Sequence, residues 1–168
     1  MTAPDTDEIR DVQRRLRASQ GPFVPKPGLP IIDELVATVL SQHTSDVNSE
    51  RAFAQLKERF PAWEQVADAP EDEVADAIRA GGIANQKARR IRQILAAIED
   101  KEGKLDLSRL HECDDAEVET YLRALPGVGP KTAACVLVFS MGRAAFPIDT
   151  HVYRMALRLG WIPPKATA

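Results

Sequence analysis

The chain is poor in the features that would place it in several large classes of protein. Its 168 residues include only two cysteines, Cys113 and Cys135, too few for a disulfide framework or a four-cysteine metal site. No apolar run approaches the roughly 20 residues needed to span a bilayer, and the polar, acidic start Met1–Glu8 has no hydrophobic leader region. These absences point to a cytoplasmic protein with no membrane partner. No run of alternating strands joined by hairpin turns is found either, which argues against a β fold. An overall positive charge is missing too: 22 Lys and Arg face 25 Asp and Glu, a net charge of −3.

What is there is helical. An apolar fraction of 44% suits a globular chain of one domain, or one domain and part of another. Apolar residues recur at helical spacing in Ile32, Leu35, Val36, Val39 and Leu40, and again in Phe53, Leu56 and Phe60. A further segment opens at Pro70, read as the first helical residue, with Glu71, Asp72 and Glu73 in its first turn and Gly81-Gly82 as its stop. Others run through Ile91, Ile94, Leu95 and Ile98, and from Asp114, whose spacing to Glu117 predicts a capping box, through Val118, Tyr121 and Leu122. The last two follow Pro130 and Asp149, and a separate helix is expected near Asp7–Ala18, ahead of an extended connection from Gly21 to Pro30. The fold class is all-α.

The charge is uneven along the chain. From Tyr121 onward the basic residues are Arg123, Lys131, Arg143, Arg154, Arg158 and Lys165 against the single acid Asp149, a local net charge of +5 that leaves −8 on the first 120 residues. A basic end on an acidic protein suits a phosphate-binding face. Within that end lies Leu125-Pro126-Gly127-Val128-Gly129-Pro130-Lys131-Thr132-Ala133. Two glycines around one apolar residue permit a tight turn whose N–H groups point outward without Cβ obstruction. Pro130 then starts a helix whose first amides face the same way, so Gly127, Val128, Gly129 and Thr132 form a cradle for a DNA phosphate, with Val128 tucked back between two helices. The hairpin's carbonyls also offer a site for a monovalent cation.

This segment resembles the helix-hairpin-helix of the endonuclease III superfamily of base-excision DNA glycosylases. Phe146-Pro147-Ile148-Asp149-Thr150-His151-Val152-Tyr153-Arg154 resembles the loop carrying that family's catalytic aspartate, 18 residues beyond the lysine. Leu40-Ser41-Gln42-His43-Thr44-Ser45-Asp46 is similar to the helix end placed near the lesion, and Gly81-Gly82-Ile83-Ala84-Asn85-Gln86-Lys87-Ala88 to the loop with the wedge residue. The resemblance implies a multi-helix barrel-like domain at 28–141 with its hairpin at 116–141. It implies a segment at 1–27 packing with the C-terminal part, and at 142–168 the aspartate loop and the start of an incomplete second domain.

The chemistry follows from residue types. A partly neutral Lys131 amine can attack C1′ of a deoxyribose, displace the base and form a Schiff base that permits β-elimination. A helix N-terminus disfavours its charged form, and burial is expected to do so further. Asp149 can cap the next helix and support the developing positive sugar, or accept a proton from the amine. The resemblance makes Ile83 the wedge, with Gln42 or His43 entering from the other side and His151 near a phosphate. His43 stands where the family usually has glutamine. Lys131 favours the branch acting on oxidised pyrimidines in damaged duplex DNA by glycosylase and AP lyase chemistry. A monofunctional glycosylase and a non-catalytic DNA-binding module are the alternatives. A monomer is expected, nucleoid-associated in a bacterium. Many family members continue into four cysteines that hold a [4Fe–4S] cluster; here Cys113 and Cys135 fit no such loop, so no cofactor is expected within this chain and a cluster only on a longer one. The tail Trp161–Ala168 reads as unfinished.

Overall fold

The computed structural model describes residues 4–22 and 28–163, and those residues form nine α-helices and no strand. The chain divides into two compact units, residues 28–147 and residues 1–27 with 148–168. Part of the Gly21–Pro30 connection, and Lys165 with most of the tail after Trp161, lie outside the described residues.

The larger unit is built around α2 (Ile31–Ser41), which buries Ile31, Ile32, Leu35, Val36, Thr38, Val39 and Leu40. A helix apolar on so many sides must be enclosed, and α2 packs against α3 (Asp46–Arg59), α6 (Ala84–Glu102) and α8 (Pro130–Cys135). Between these lie α4 (Trp63–Asp68) and α5 (Glu71–Ala77). Leu35, Leu40, Leu56, Ile91, Leu95 and Ile98 are fully enclosed in this core. Truncating one of them to alanine costs about 2–5 kcal/mol.

Local signals placed several elements correctly. The helix α7 (Asp115–Arg123) begins with the expected capping box: the Glu117 amide donates to Asp114 Oδ1 at 2.8 Å and the Asp114 amide to Glu117 Oε2 at 3.1 Å. Pro70 differs from expectation. It is the N-cap of α5 rather than its first residue, and α5 stops at Ala77, with a 3₁₀ turn at Arg79–Gly81 completing the segment. After Cys135, α8 widens into a π-helical turn, Val136–Ser140. Its carbonyls lie against Gly28, where a Cβ would come within 2.8 Å of Phe139 O and Ser140 O, and Ser140 Oγ donates to Leu29 O at 2.7 Å. Arg143 then reaches back. Its Nη1 donates to Cys113 O at 2.7 Å and to Asp115 Oδ1 at 2.9 Å, and its Nη2 to Leu110 O at 3.2 Å and His111 O at 3.0 Å.

In the smaller unit, α1 (Thr6–Gln20) is longer than its expected Asp7–Ala18 and is capped by Asp5, which accepts from the Glu8 amide at 2.8 Å. The other helix, α9 (Thr150–Arg158), is followed by Trp161, whose Nε1 donates to Glu8 Oε1 at 2.7 Å. Neither helix buries a residue fully. Among the described residues, no helix is long and apolar enough to cross a membrane.

Candidate nucleic-acid interface

The hairpin has the geometry its sequence dictates. Gly127 is in the left-handed region at φ 69°, Val128 is 6% exposed, and the Val128 amide donates to Leu125 O at 3.2 Å. Gly129 is the extended N-cap of α8, with Pro130 as first residue and the Ala133 amide returning to Gly129 O at 3.0 Å. The first-turn amides of Lys131 and Thr132 have no acceptor within the helix. The Thr132 side chain is buried, so its main chain alone can meet an anion. Arg90 of α6 lies on this turn: a Cβ at Gly127 would sit 1.3 Å from its Nη1. No sequence signal marked Arg90 out from its basic neighbours.

Lys131 is exposed on the first turn of α8, so the burial expected to favour its neutral amine is absent. It has instead an acidic neighbour that the sequence reading missed. Glu34, in the first turn of α2, is half-buried; burial pushes its carboxyl above the ordinary value, while a bond from Thr38 Oγ1 to Oε1 (3.3 Å) and the charge of Lys131 pull it down. An acid beside the buried Leu35 and Val36 of a largely apolar helix was the available signal. The basic end is also less free than its composition implies. Arg123 pairs with Glu119 at 3.1 Å, and Arg143 is engaged by carbonyls and Asp115.

Two turns stand out for their backbone. Among the described residues only His43, at φ 54°, and Ile83, at φ 38°, are non-glycine residues in the left-handed region. Each such residue costs about 1–2 kcal/mol, most for a β-branched side chain. Gln42 and His43 are exposed beyond the end of α2, and Ile83, 48% exposed, opens α6 rather than entering the core. An open groove of about 420 Å³ runs beside Ile83, lined also by Asp76, Arg79, Asn85 and Gln86. The ammonium of Lys87 is buried between the two turns and donates to Leu40 O and to Gly81 O, each at 2.7 Å.

Asp149 belongs to the smaller unit, Lys131 to the larger. Asp149 caps α9 as expected: its Oδ1 accepts from the amides of His151 (2.9 Å) and Val152 (2.7 Å), which fixes the carboxylate's direction. The exposed His151 makes a local contact, its Nδ1 lying 3.1 Å from Arg154 Nη2.

The donor set does not fit an iron–sulfur cluster. The two thiols are separate, Cys135 buried on α8 and Cys113 beside Arg109, and among the described residues no three His, Cys, Asp or Glu side chains converge on a metal site.

Comparison with known proteins gives a consistent picture. The family described as HhH-GPD superfamily base excision DNA repair protein matches residues 36–168. An Arabidopsis thaliana protein named by inference as a DNA glycosylase is 45% identical over 136 residues, 81% of this chain and 46% of that protein. Endonuclease III of Thermotoga maritima is 38% identical over 131 residues, 78% of this chain and 57% of that enzyme. The chain therefore spans about half the length of these relatives. Among solved structures, a non-covalent endonuclease III–DNA complex and a trapped endonuclease III–DNA covalent intermediate each superpose with a TM-score of 0.77 at 27% identity, over 98% of this chain and 73% of the other.

Proposed function

Because the chain belongs to the HhH-GPD superfamily of base excision DNA repair proteins, we propose that it is a DNA glycosylase with AP lyase chemistry, acting on oxidised pyrimidines in duplex DNA. The observation that carries this reading is the exposed Lys131 at the start of α8, directly after a phosphate-shaped hairpin. The likeness to endonuclease III, including a trapped covalent intermediate of that enzyme, supports it.

In this reading the hairpin amides hold a backbone phosphate, and the lysine on the next turn is carried to the adjoining sugar. The Lys131 amine attacks C1′; the N–C1′ bond forms as the bond to the base breaks, and the base leaves with a proton. The C1′–O4′ bond then breaks as O4′ takes a proton from solvent, and the opened sugar is left as a protonated imine. Loss of the C2′ proton then expels the 3′ phosphate by β-elimination. Neighbouring Glu34 and the oriented Asp149 are the chain's candidates for managing charge and protons at the amine. Ile83 takes the place of the extruded nucleotide, with Gln42 or His43 opposite. DNA is the partner, and no step requires a metal or cofactor.

The test is a duplex carrying one thymine glycol, incubated with and without borohydride. A trapped adduct is expected, and it should vanish in Lys131→Ala while duplex affinity is nearly unchanged, since binding rests on main-chain amides. Asp149→Asn keeps the helix cap and should slow trapping. Base release without an adduct would show a monofunctional enzyme; salt-sensitive binding without product would show a DNA-binding module.

A further inference from the structure

We propose that Lys87 is a positioning residue that sets both base-probing turns, the one carrying Gln42 and His43 and the one carrying Ile83, through a single buried ammonium. The inference rests on the reading of those turns as the parts that enter DNA.

Lys87 occupies a position that packing alone would fill differently. The buried face of α6 runs Lys87, Ala88, Ile91, Ile94, Leu95, Ile98, so a cation stands where the stripe calls for an apolar side chain. It is 2% exposed. Burial pushes its pKa below the ordinary lysine value, with no neighbouring carboxylate contributing an opposing effect. A buried charge of this kind is unfavourable unless its hydrogen bonds are good, and an apolar residue of similar volume would fill the site at lower cost.

Its two acceptors give the cation a purpose. Leu40 O belongs to the last turn of α2, where carbonyls lack helical partners and a cation is favoured. Gly81 O lies two residues before Ile83. The acceptors are 47 and 6 residues distant in sequence, yet each meets the same nitrogen at 2.7 Å. Each is also just upstream of one of the two left-handed non-glycine residues among those described, His43 and Ile83. Strained turns persist only where their surroundings over-determine them. The close approach continues around the ammonium: a Cβ at Gly81 would meet Ala52 Cβ at 3.2 Å and lie 3.9 Å from Nζ. Displacing either carbonyl weakens the anchor of the other, so the two turns are held as a pair.

The test compares wild type with Lys87→Met, which keeps the stem and removes the cation. Without DNA, amide hydrogen exchange at both turns should rise together, while exchange in α7 and the hairpin stays as in wild type. On DNA, the rate on a thymine-glycol duplex should fall by roughly 10- to 100-fold. Borohydride trapping on a single-stranded abasic oligonucleotide, which needs no extrusion, should stay within about twofold of wild type. An unchanged duplex rate, exchange rising at one turn only, or equal losses on both substrates would overturn the proposal. If Lys87→Met fails to fold, Lys87→Arg decides. It keeps the charge, but its donors lie in one rigid plane on a larger head group, which cannot meet both carbonyls as the compact ammonium does; it should fold yet lose duplex activity selectively. A wild-type duplex rate in Lys87→Arg would reduce Lys87 to a structural charge. Inactivity of the wild type on every substrate would instead count against the glycosylase reading, and the exchange experiment would still decide the coupling of the turns.

Discussion

The two glycines of the hairpin should respond oppositely to the same substitution. In Gly127→Ala the added methyl group meets two penalties. The backbone at φ 69° is left-handed, which costs an alanine about 1–2 kcal/mol relative to glycine. The new Cβ also falls 1.3 Å from Arg90 Nη1 and 2.2 Å from its Cζ, so the guanidinium must leave the turn. That end of the side chain is flexible, so the backbone term sets the cost, and Tm should fall by roughly 2–8 °C for a chain of this size. Gly129 has an ordinary φ of −94° and nothing within 4 Å of its Cβ position. Gly129→Ala should therefore leave Tm within about 1–2 °C of wild type, yet weaken duplex binding, because its methyl group stands in front of the amides. Thermal melts followed by circular dichroism, paired with fluorescence anisotropy on a short duplex, read the two effects separately. Adding Arg90→Ala to Gly127→Ala should recover little stability. The reasoning fails if Gly129→Ala is as destabilising as Gly127→Ala, or if the Arg90 truncation restores the whole loss.

Ile83→Asn places a residue tolerant of the left-handed region at φ 38°, so Tm should hold or rise, by up to about 1 kcal/mol of relieved strain. Excision from duplex DNA should nevertheless drop, because the apolar wedge is gone; a fall in Tm with full activity would contradict both assignments. Glu34→Gln should change the pH dependence of stability. The folded carboxyl binds its proton more tightly than the unfolded one, so its contribution is fully present below the ordinary value near 4.5 and is lost as pH rises through the higher folded value. Melts at several pH values should show wild type losing stability relative to Glu34→Gln across that window. A flat or reversed difference would remove Glu34 from the half-buried site beside Lys131.

Elements governed by neighbours in sequence were legible, and elements governed by distant chain were not. The capping box at Asp114 and Glu117, the cap at Asp149 and the glycine turn at 127 each depend on residues within four positions, and each formed as read. Helix α4 escaped because six residues offer only Trp63 and Val66 as a buried stripe. The π-helical turn at Val136–Ser140 packs on Gly28, more than a hundred residues away, and no local pattern announces it. The exposure of Lys131 depends on which way the hairpin presents the first turn of α8. Glu34 and Lys87 drew no reading of their own, because charge on a helix is usually solvated; only their place in apolar faces, beside Leu35 and Ala88, sets them apart.

Arg143 gives the hairpin a mechanical property. By bonding to the carbonyls of Leu110, His111 and Cys113, its guanidinium closes a ring of chain whose ends are up to 33 residues apart and which contains α7, the glycine turn and α8. Such a clasp shortens the tether on which those elements fluctuate, much as a crosslink does, though reversibly. Local fraying of the turn then cannot spread outward without first undoing four hydrogen bonds at one planar group, so the ring should open as a single cooperative unit. A turn with two glycines in three residues would otherwise be among the softest parts of a helical protein. The clasp lets it remain glycine-lined and still keep its shape.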